Sequence, residues 1–294
     1  MKKGLILINA YMKSEAQFSQ AERMKEELET LGVHMDVKRN DGFFARVLGG
    51  KLDCETLGEY DFCLYLDKDK YVSQMLEKAG LRLFNRHDGI RICDDKMQTH
   101  ITLSGKNIPM PDTLPGLLCY EPTAKISLST VEKVEDELGY PLIVKECFGS
   151  LGKGVYLAED REELLGIMKR LQGKPHLFQK ALQSSFGRDV RVIVIGGKVR
   201  AAMLRQSSED FRSNIELGGE GTAYEPSFEM RALCEKVANE LGLDYCGIDV
   251  LFGKNGRPTI CEVNSNAFFG GIEAATGVNV AKEYAEHIYA EIYG

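Results

Sequence analysis

The segment ICEVNSNAFFGG, residues 260–271, sets a carboxylate and two amides into an apolar run. Ile260, Cys261 and Val263 suit a buried strand, and Ala267, Phe268 and Phe269 suit a core, yet Glu262, Asn264 and Asn266 recur at every second residue. Side chains alternate along a strand, so Glu262 and Asn264 share a face. A buried carboxylate without a partner is too costly to keep, so Glu262 must meet a cation or hydrogen-bond donors. The preceding run GIDVLFG offers Asp249 between Ile248 and Val250, and the link GKNGRP carries tight-turn residues. The two runs are expected to form a hairpin that gathers Asp249, Glu262 and Asn264 on one face. Two carboxylates and an amide oxygen are hard donors suited to Mg²⁺ or Mn²⁺, whose shell keeps room for water or phosphate oxygens. Local backbone hydrogen bonds are the alternative use of the same three side chains.

A second cluster is KECFGSLGKG. It lacks the spacing of a G-x-x-x-x-G-K-[ST] phosphate loop, and a strand follows where a helix should. A glycine-rich turn between antiparallel strands still lets backbone N–H groups approach phosphates closely. Lys145, on the strand before it, either meets a phosphate or reaches past apolar surface to solvent. A third cluster is RDVRVIVIGGKVRAAMLRQSSEDFRSN. Asp189 and Arg191 share a strand face, Arg205 ends the next strand, and Arg212 and Asn214 lie in a polar loop. Guanidinium groups bind phosphate and carboxylate bidentately. A solvated charged face is the plain alternative.

These side chains need elements to carry them. GLILINA (4–10) reads as a buried strand, followed by a helix with a Ser14…Gln17 capping box and Gly32 as its stop. VHMDVKR, DFCLYLD, a helix over 70–79 and LRLFN continue the alternation, which predicts a small α/β unit with a mostly parallel sheet. CDDKMQTHITLSG predicts one short helix capped by Asp94 and ended by Gly105, and STVEKVEDELG a helix with a Ser129…Glu132 capping box. PLIVKE and VYLAE flank the glycine loop. A helix over 160–171, the strand HLFQKAL, a hairpin turning at Gly196–Gly197, a polar loop over 206–224, a helix over 227–241 and a final helix over 278–291 follow.

The 294 residues, 44% hydrophobic and 28% charged, describe a folded globular chain, and the net charge of −7 argues against nucleic acid as partner. No stretch approaches the length of a membrane span. The eight cysteines are scattered through apolar runs with no C-x-x-C pair, as reduced core thiols would be. MKKGLILINAYMKSE reads as a first strand, not a secretion signal, so a cytoplasmic setting is expected. No Ser-His-Asp or Cys-His constellation stands out; His34, His87, His100, His176 and His287 read as structural or surface residues.

In order along the chain, DDKMQT, PLIVKECFGSLGKGVYLAE, GRDVRVIVIGGKVRAAMLRQ, DFRSNIELGG, GIDVLF and CEVNSN resemble the ATP-grasp superfamily. More narrowly, they resemble the RimK-type α-L-glutamate ligases, which add glutamate to peptide, cofactor or ribosomal-protein acceptors. The resemblance implies a mixed α/β chain in three parts: an N-terminal α/β domain over 1–92, a central subdomain with the glycine lid over 93–182, and a subdomain with the metal site over 183–294. It implies ATP and Mg²⁺, amino-acid or peptide substrates, and a possible dimer or tetramer. Lys96 and Lys145 match the nucleotide lysines, and Gly149, Ser150, Gly152 and Gly154 the lid over the phosphates. Gln179, Lys180, Ala181 and Leu182 match the hinge beside adenine, with Asp189 near the ribose and Arg191 on the same strand face. Asp249, Glu262 and Asn264 match the metal ligands; Arg205, Arg212 and Asn214 match the phosphate and substrate pocket.

The implied reaction is phosphoryl transfer from ATP to a carboxylate, then attack by an amine. The chain departs from the family pattern at Lys180, where an acid is usual. It departs again at Asn264-Ser265-Asn266-Ala267-Phe268, which replaces Asn-x-x-Pro-Gly, and at Glu216, in a segment that is often basic. These changes fall where substrates are expected, so glutamate is the default substrate and the acceptor stays open. A phosphotransferase, a non-catalytic nucleotide-binding module and a ligase of the D-alanine type remain as alternatives.

Overall fold

A computed structural model describes residues 2–54, 57–121, 123–150, 152–214 and 218–294. The chain opens with β1 (Lys3–Ile8), α1 (Glu15–Thr30), β2 (His34–Arg39), the small hairpin β3 (Arg46–Leu48) and β4 (Lys51–Asp53), β5 (Phe62–Leu66), α2 (Lys70–Lys78) and β6 (Arg82–Phe84). Among the described residues these give a parallel sheet in the order β2-β1-β5-β6, with β3 and β4 paired separately. Apart from Lys3, β1 is wholly buried, as strands covered on both faces are. Gly4 is required there, since a Cβ would meet the Phe62 ring at 2.4 Å and the Met35 sulfur at 2.6 Å. Strand order reverses at β1, which opens a crevice at the carboxyl ends of β1 and β5. Ser14 does stand at the start of α1, but its side chain makes no cap bond, so the expected capping box does not form.

The helix expected over 93–105 is two: α3 (His87–Asp94) and α4 (Lys96–Leu103). Asp95, not Asp94, caps α4, accepting from the Met97 and Gln98 N–H groups. Next come β7 (Thr113–Pro115), α5 (Leu128–Leu138), β8 (Leu142–Glu146), β9 (Val155–Ala158), α6 (Arg161–Leu171) and β10 (His176–Lys180). The cap of α5 is Ser127, which accepts from Thr130 N–H, so the Ser129 box is also displaced. The strands form an antiparallel sheet, β7-β10-β8-β9, whose Leu142, Val144 and Phe178 pack against Val131, Val134 and Leu164 of the two helices. By alternation Ile143 and Lys145 face the other way.

The last part holds β11 (Arg188–Ile195), β12 (Lys198–Gln206), β13 (Glu220–Ala223), α7 (Phe228–Glu240), β14 (Tyr245–Phe252), β15 (Pro258–Asn264), α8 (Gly270–Thr276) and α9 (Val280–Tyr293). The β11–β12 hairpin turns at Gly196 and Gly197, both at positive φ (56° and 71°), as the two-residue turn demands. The segment read as one polar loop contains β13, the edge of an antiparallel sheet ordered β13-β12-β11-β14-β15. On one face Val190, Val192, Ile248, Val250 and Val263 pack under α7. By alternation Ile193 and Ile195 face the other way, into a second core shared with Met24, Leu28, Tyr284 and Ile288 of α1 and α9. All eight cysteines are unpaired, and no described helix is long and apolar enough to cross a membrane.

Candidate active site

The face of the β11–β15 sheet opposite α7 lines a cavity of about 720 Å³, together with Ile143 and Lys145 of β8 and the crevice at the ends of β1 and β5. Register explains the convergence. Arg191 pairs with Asp249, Asp249 with Glu262, Gly247 with Asn264 and Asp189 with Arg205, so one pleat side carries all of them. A bulge after Asp249 skips Cys261, and this sets Cys261 and Glu262, adjacent in sequence, against the same cavity. Gly247 keeps the floor low: a Cβ there would meet the Ala267 Cβ at 2.5 Å and the Arg191 Cδ at 3.1 Å.

The charges form a chain of pairs. Arg205 donates to both Asp189 oxygens at 2.7 and 2.5 Å and reaches Asp249 Oδ1 at 2.9 Å. Arg191 holds Asp249 from the other side, through Nε to Oδ1 and Nη2 to Oδ2 (2.9 Å). Burial pushes the Asp249 carboxyl up, but the Arg191 and Arg205 charges outweigh it and hold it at about 2. Glu262 is less committed: it meets Lys96 Nζ at 3.4 Å, and its side chain keeps 30% exposure toward the cavity. Asn264 Oδ1 accepts from the Asn266 N–H at 3.1 Å.

Among the described residues no three His, Cys, Asp or Glu side chains come together as a metal centre. Two carboxylates and an amide oxygen do share one sheet face and line the cavity, with Asp249 directly across from Glu262 and Asn264 across from Gly247. In donor chemistry this set fits Mg²⁺ or Mn²⁺, which take oxygen ligands and fill the remaining positions with water or phosphate.

The glycine-rich loop is tied down on three sides. Lys96 Nζ donates to Gly149 O at 3.0 Å, Lys68 Nζ to Ser150 Oγ at 3.1 Å and Arg212 Nη1 to Gly152 O at 2.8 Å. Gly149, Ser150 and Gly152 line the cavity; Gly154 does not, and packs on Glu146 instead. Of the hinge residues Gln179, Lys180 and Leu182 reach the cavity and Ala181 does not. Lys180 is exposed and pairs with Asp112 at 3.6 Å, while its N–H donates to the Asp112 carbonyl. Arg212, Asn214 and Arg205 also line the cavity. Glu216 lies outside the described residues.

Residues 93–288 match the RimK-like ATP-grasp domain. The chain belongs to this family. Human N-acetylaspartylglutamate synthase A is 38% identical over 223 residues, 75% of this chain and 56% of that protein. The probable alpha-L-glutamate ligase of Halorhodospira halophila is 37% identical over 220 residues, 74% of this chain and 70% of its own. The chain spans a little over half the length of the first curated relatives it matches. Among solved structures, Bacillus anthracis D-alanine–D-alanine ligase complexed with ATP aligns with a TM-score of 0.74 at 18% identity, covering 99% of both chains. The ATP-grasp ligase PsnB, complexed with its minimal precursor, Mg and ADP, aligns with a TM-score of 0.70 at 20% identity, covering 99% of this chain and 98% of PsnB. These likenesses show the ATP-grasp fold.

Several residues around this RimK-like cavity were not singled out by sequence. Asp67, after β5, accepts from Asn9 Nδ2 (3.2 and 3.1 Å) and Asn40 Nδ2 (2.6 Å), and Arg39 Nη1 donates to the carbonyls of Ala10 (2.8 Å) and Met12 (3.2 Å). Together they shape the loop at the crevice, from residues too far apart in sequence to be read as a group. His100, read as structural, lies 3.1 Å from Gln179 Nε2. A signal existed, because His100 follows Lys96 by four residues on one helix and so shares its face.

Burial, together with the Lys145 charge, lowers the His100 pKa from the ordinary 6.5 to about 4. The unfolded chain therefore takes up a proton that the folded chain refuses. Stability is full above pH 6.5 and falls as pH drops toward 4. Between pH 7 and 4.5 the loss is expected to be about 2 to 3 kcal/mol larger in the wild type than in His100→Gln, read from denaturant unfolding at both pH values. Equal losses would place the imidazole in a more polar environment than this one.

Proposed function

We propose that the protein is an ATP-dependent carboxylate–amine ligase that forms an amide through an acyl phosphate, adding glutamate or a similar amino acid to a small-molecule or peptide acceptor. The observation that carries this reading is the charge of the cavity. In a chain of net charge −7, eleven basic side chains and five acidic ones line it among the described residues. Such a field suits a triphosphate and a second anion. The family membership and the glutamate-named relatives support the same chemistry, and the sheets within 1–92, 93–182 and 183–294 support the three-part division.

In this reading Lys96 and Lys145 bind the phosphates, the glycine loop covers them, and Gln179 to Leu182 border the base. Asp249, Glu262 and Asn264 hold Mg²⁺, which when bound neutralises charge on the transferring phosphoryl group. A substrate carboxylate oxygen attacks the terminal phosphorus and the bond to ADP breaks. The amine nitrogen then attacks the acyl carbon, the bond to phosphate breaks, and the nitrogen loses a proton. Arg205 and Arg212 face negative charge that develops in both steps, and no protein nucleophile is required. The substrates enter at the β1–β5 crevice, where Tyr11, Lys13, Phe268 and Gly270 line the cavity.

Release of ADP and phosphate is measured with Mg-ATP, pooled amino acids and pooled carboxylate or peptide acceptors, each pool also alone. Release that needs both pools is expected. ADP without free phosphate would indicate a phosphotransferase, and tight ATP binding with no turnover under any pool would favour a non-catalytic module.

A further inference from the structure

Gln179 on β10 has three polar neighbours, and their chemistry fixes how its amide is turned. Its Oε1 accepts from Lys145 Nζ at 2.7 Å, while its Nε2 lies 2.9 Å from Thr113 Oγ1 and 3.1 Å from His100 Nε2. An ammonium group only donates, so the amide oxygen must face Lys145 and the NH₂ must face the other two. Thr113 donates its hydroxyl to the Pro111 carbonyl at 2.9 Å, which leaves its oxygen to accept. An amide nitrogen does not accept, so His100 must offer a bare Nε2 and carry its proton on Nδ1. The imidazole is buried, and the low pKa noted above keeps it neutral at neutral pH.

We propose that His100 is a positioning residue for Lys145: by accepting from the Gln179 amide it keeps that amide's oxygen turned to the ammonium, which aims the ammonium into the nucleotide cavity. The proposal rests on the ligase reading for one point, that Lys145 meets the nucleotide. Thr113 cannot do the same work alone, because its hydroxyl can rotate and donate to a turned amide oxygen. With the amide turned, two donors would face each other at Lys145. The neighbour left to the ammonium would then be Cys261 Sγ at 3.3 Å, a weak acceptor whose thiol burial keeps protonated. The two ends of this relay stand 79 residues apart in sequence, His100 on the helix that also carries Lys96 and Gln179 on the hinge strand. Both candidate nucleotide lysines are thus positioned from one helix.

The test is calorimetric binding of Mg-ATP to the full chain as wild type, His100→Leu and His100→Gln. Glutamine carries its Oε1 as many bonds from the backbone as the imidazole carries Nε2, so it restores an acceptor where leucine removes it. The expected result is an affinity about five- to tenfold weaker for leucine, the size of one lost hydrogen bond, and a return to within about twofold of wild type for glutamine. Equal binding by leucine and wild type would overturn the proposal, as would equal weakening by both variants. A wild type that does not bind Mg-ATP would overturn the ligase reading itself. If the leucine variant does not fold, nitrogen NMR of the wild-type imidazole decides: an unprotonated Nε2 at pH 7 is expected, and a protonated one would contradict the relay.

Discussion

Glu262→Gln is expected to lower the ADP- and phosphate-releasing turnover by about a thousandfold, the several kcal/mol that a metal held against a transferring phosphoryl group supplies. The same change is expected to leave stability within about 1 kcal/mol. Glu262 is partly exposed to the cavity, and its ion pair with Lys96, at 3.4 Å, is long. The contrast between the two readouts is what matters. A carboxylate kept for the fold would lose stability when neutralised and would spare the rate in whatever protein stayed folded. Initial rates at saturating Mg-ATP beside thermal melts separate the cases, and a variant within tenfold of wild-type rate would remove Glu262 from the proposed metal site.

Arg205→Met is expected to lower stability as well as rate, with a loss of about 3 to 5 kcal/mol in denaturant unfolding, because it strands buried carboxylate. Arg205 is buried and supplies both hydrogen bonds to Asp189, while Asp249 would keep Arg191. The cost should therefore fall mainly on Asp189. Adding Asp189→Asn to Arg205→Met should recover part of the loss, since an unpaired amide is cheaper to bury than an unpaired charge. A loss near zero for the single variant would mean that Asp189 finds water or another partner when the guanidinium is removed.

The site was legible where a short period controls it. Glu262 and Asn264, two residues apart on a strand, had to share a face, and a turn-forming link had to fold Asp249 back against them. The structure places all three there. The bulge at Cys261 was not legible, because an extra residue in one strand is fixed by its partner's register and leaves no mark in its own sequence. Helix starts were read one or two residues off at Asp95 and Ser127. Each segment offers two residues able to cap, and the backbone angle at which the chain enters the helix chooses between them. The edge strand β13 carries little alternation, and its pairing with Met203 through Gln206 makes it a strand. The Asn9–Asp67 bonds and the His100–Gln179 contact join residues 58 and 79 positions apart, distances over which composition and spacing carry no information.

The central claim is that a carboxylate is activated by phosphoryl transfer before the amine attacks. It is tested most directly by labelling the carboxylate pool with heavy oxygen, running the reaction with Mg-ATP and the amine pool, and weighing the released phosphate by mass spectrometry. An acyl phosphate leaves one substrate oxygen on phosphorus, so phosphate carrying one heavy oxygen for each amide formed is the expected result. Amide formed with unlabelled phosphate, or with AMP in place of ADP, would contradict it.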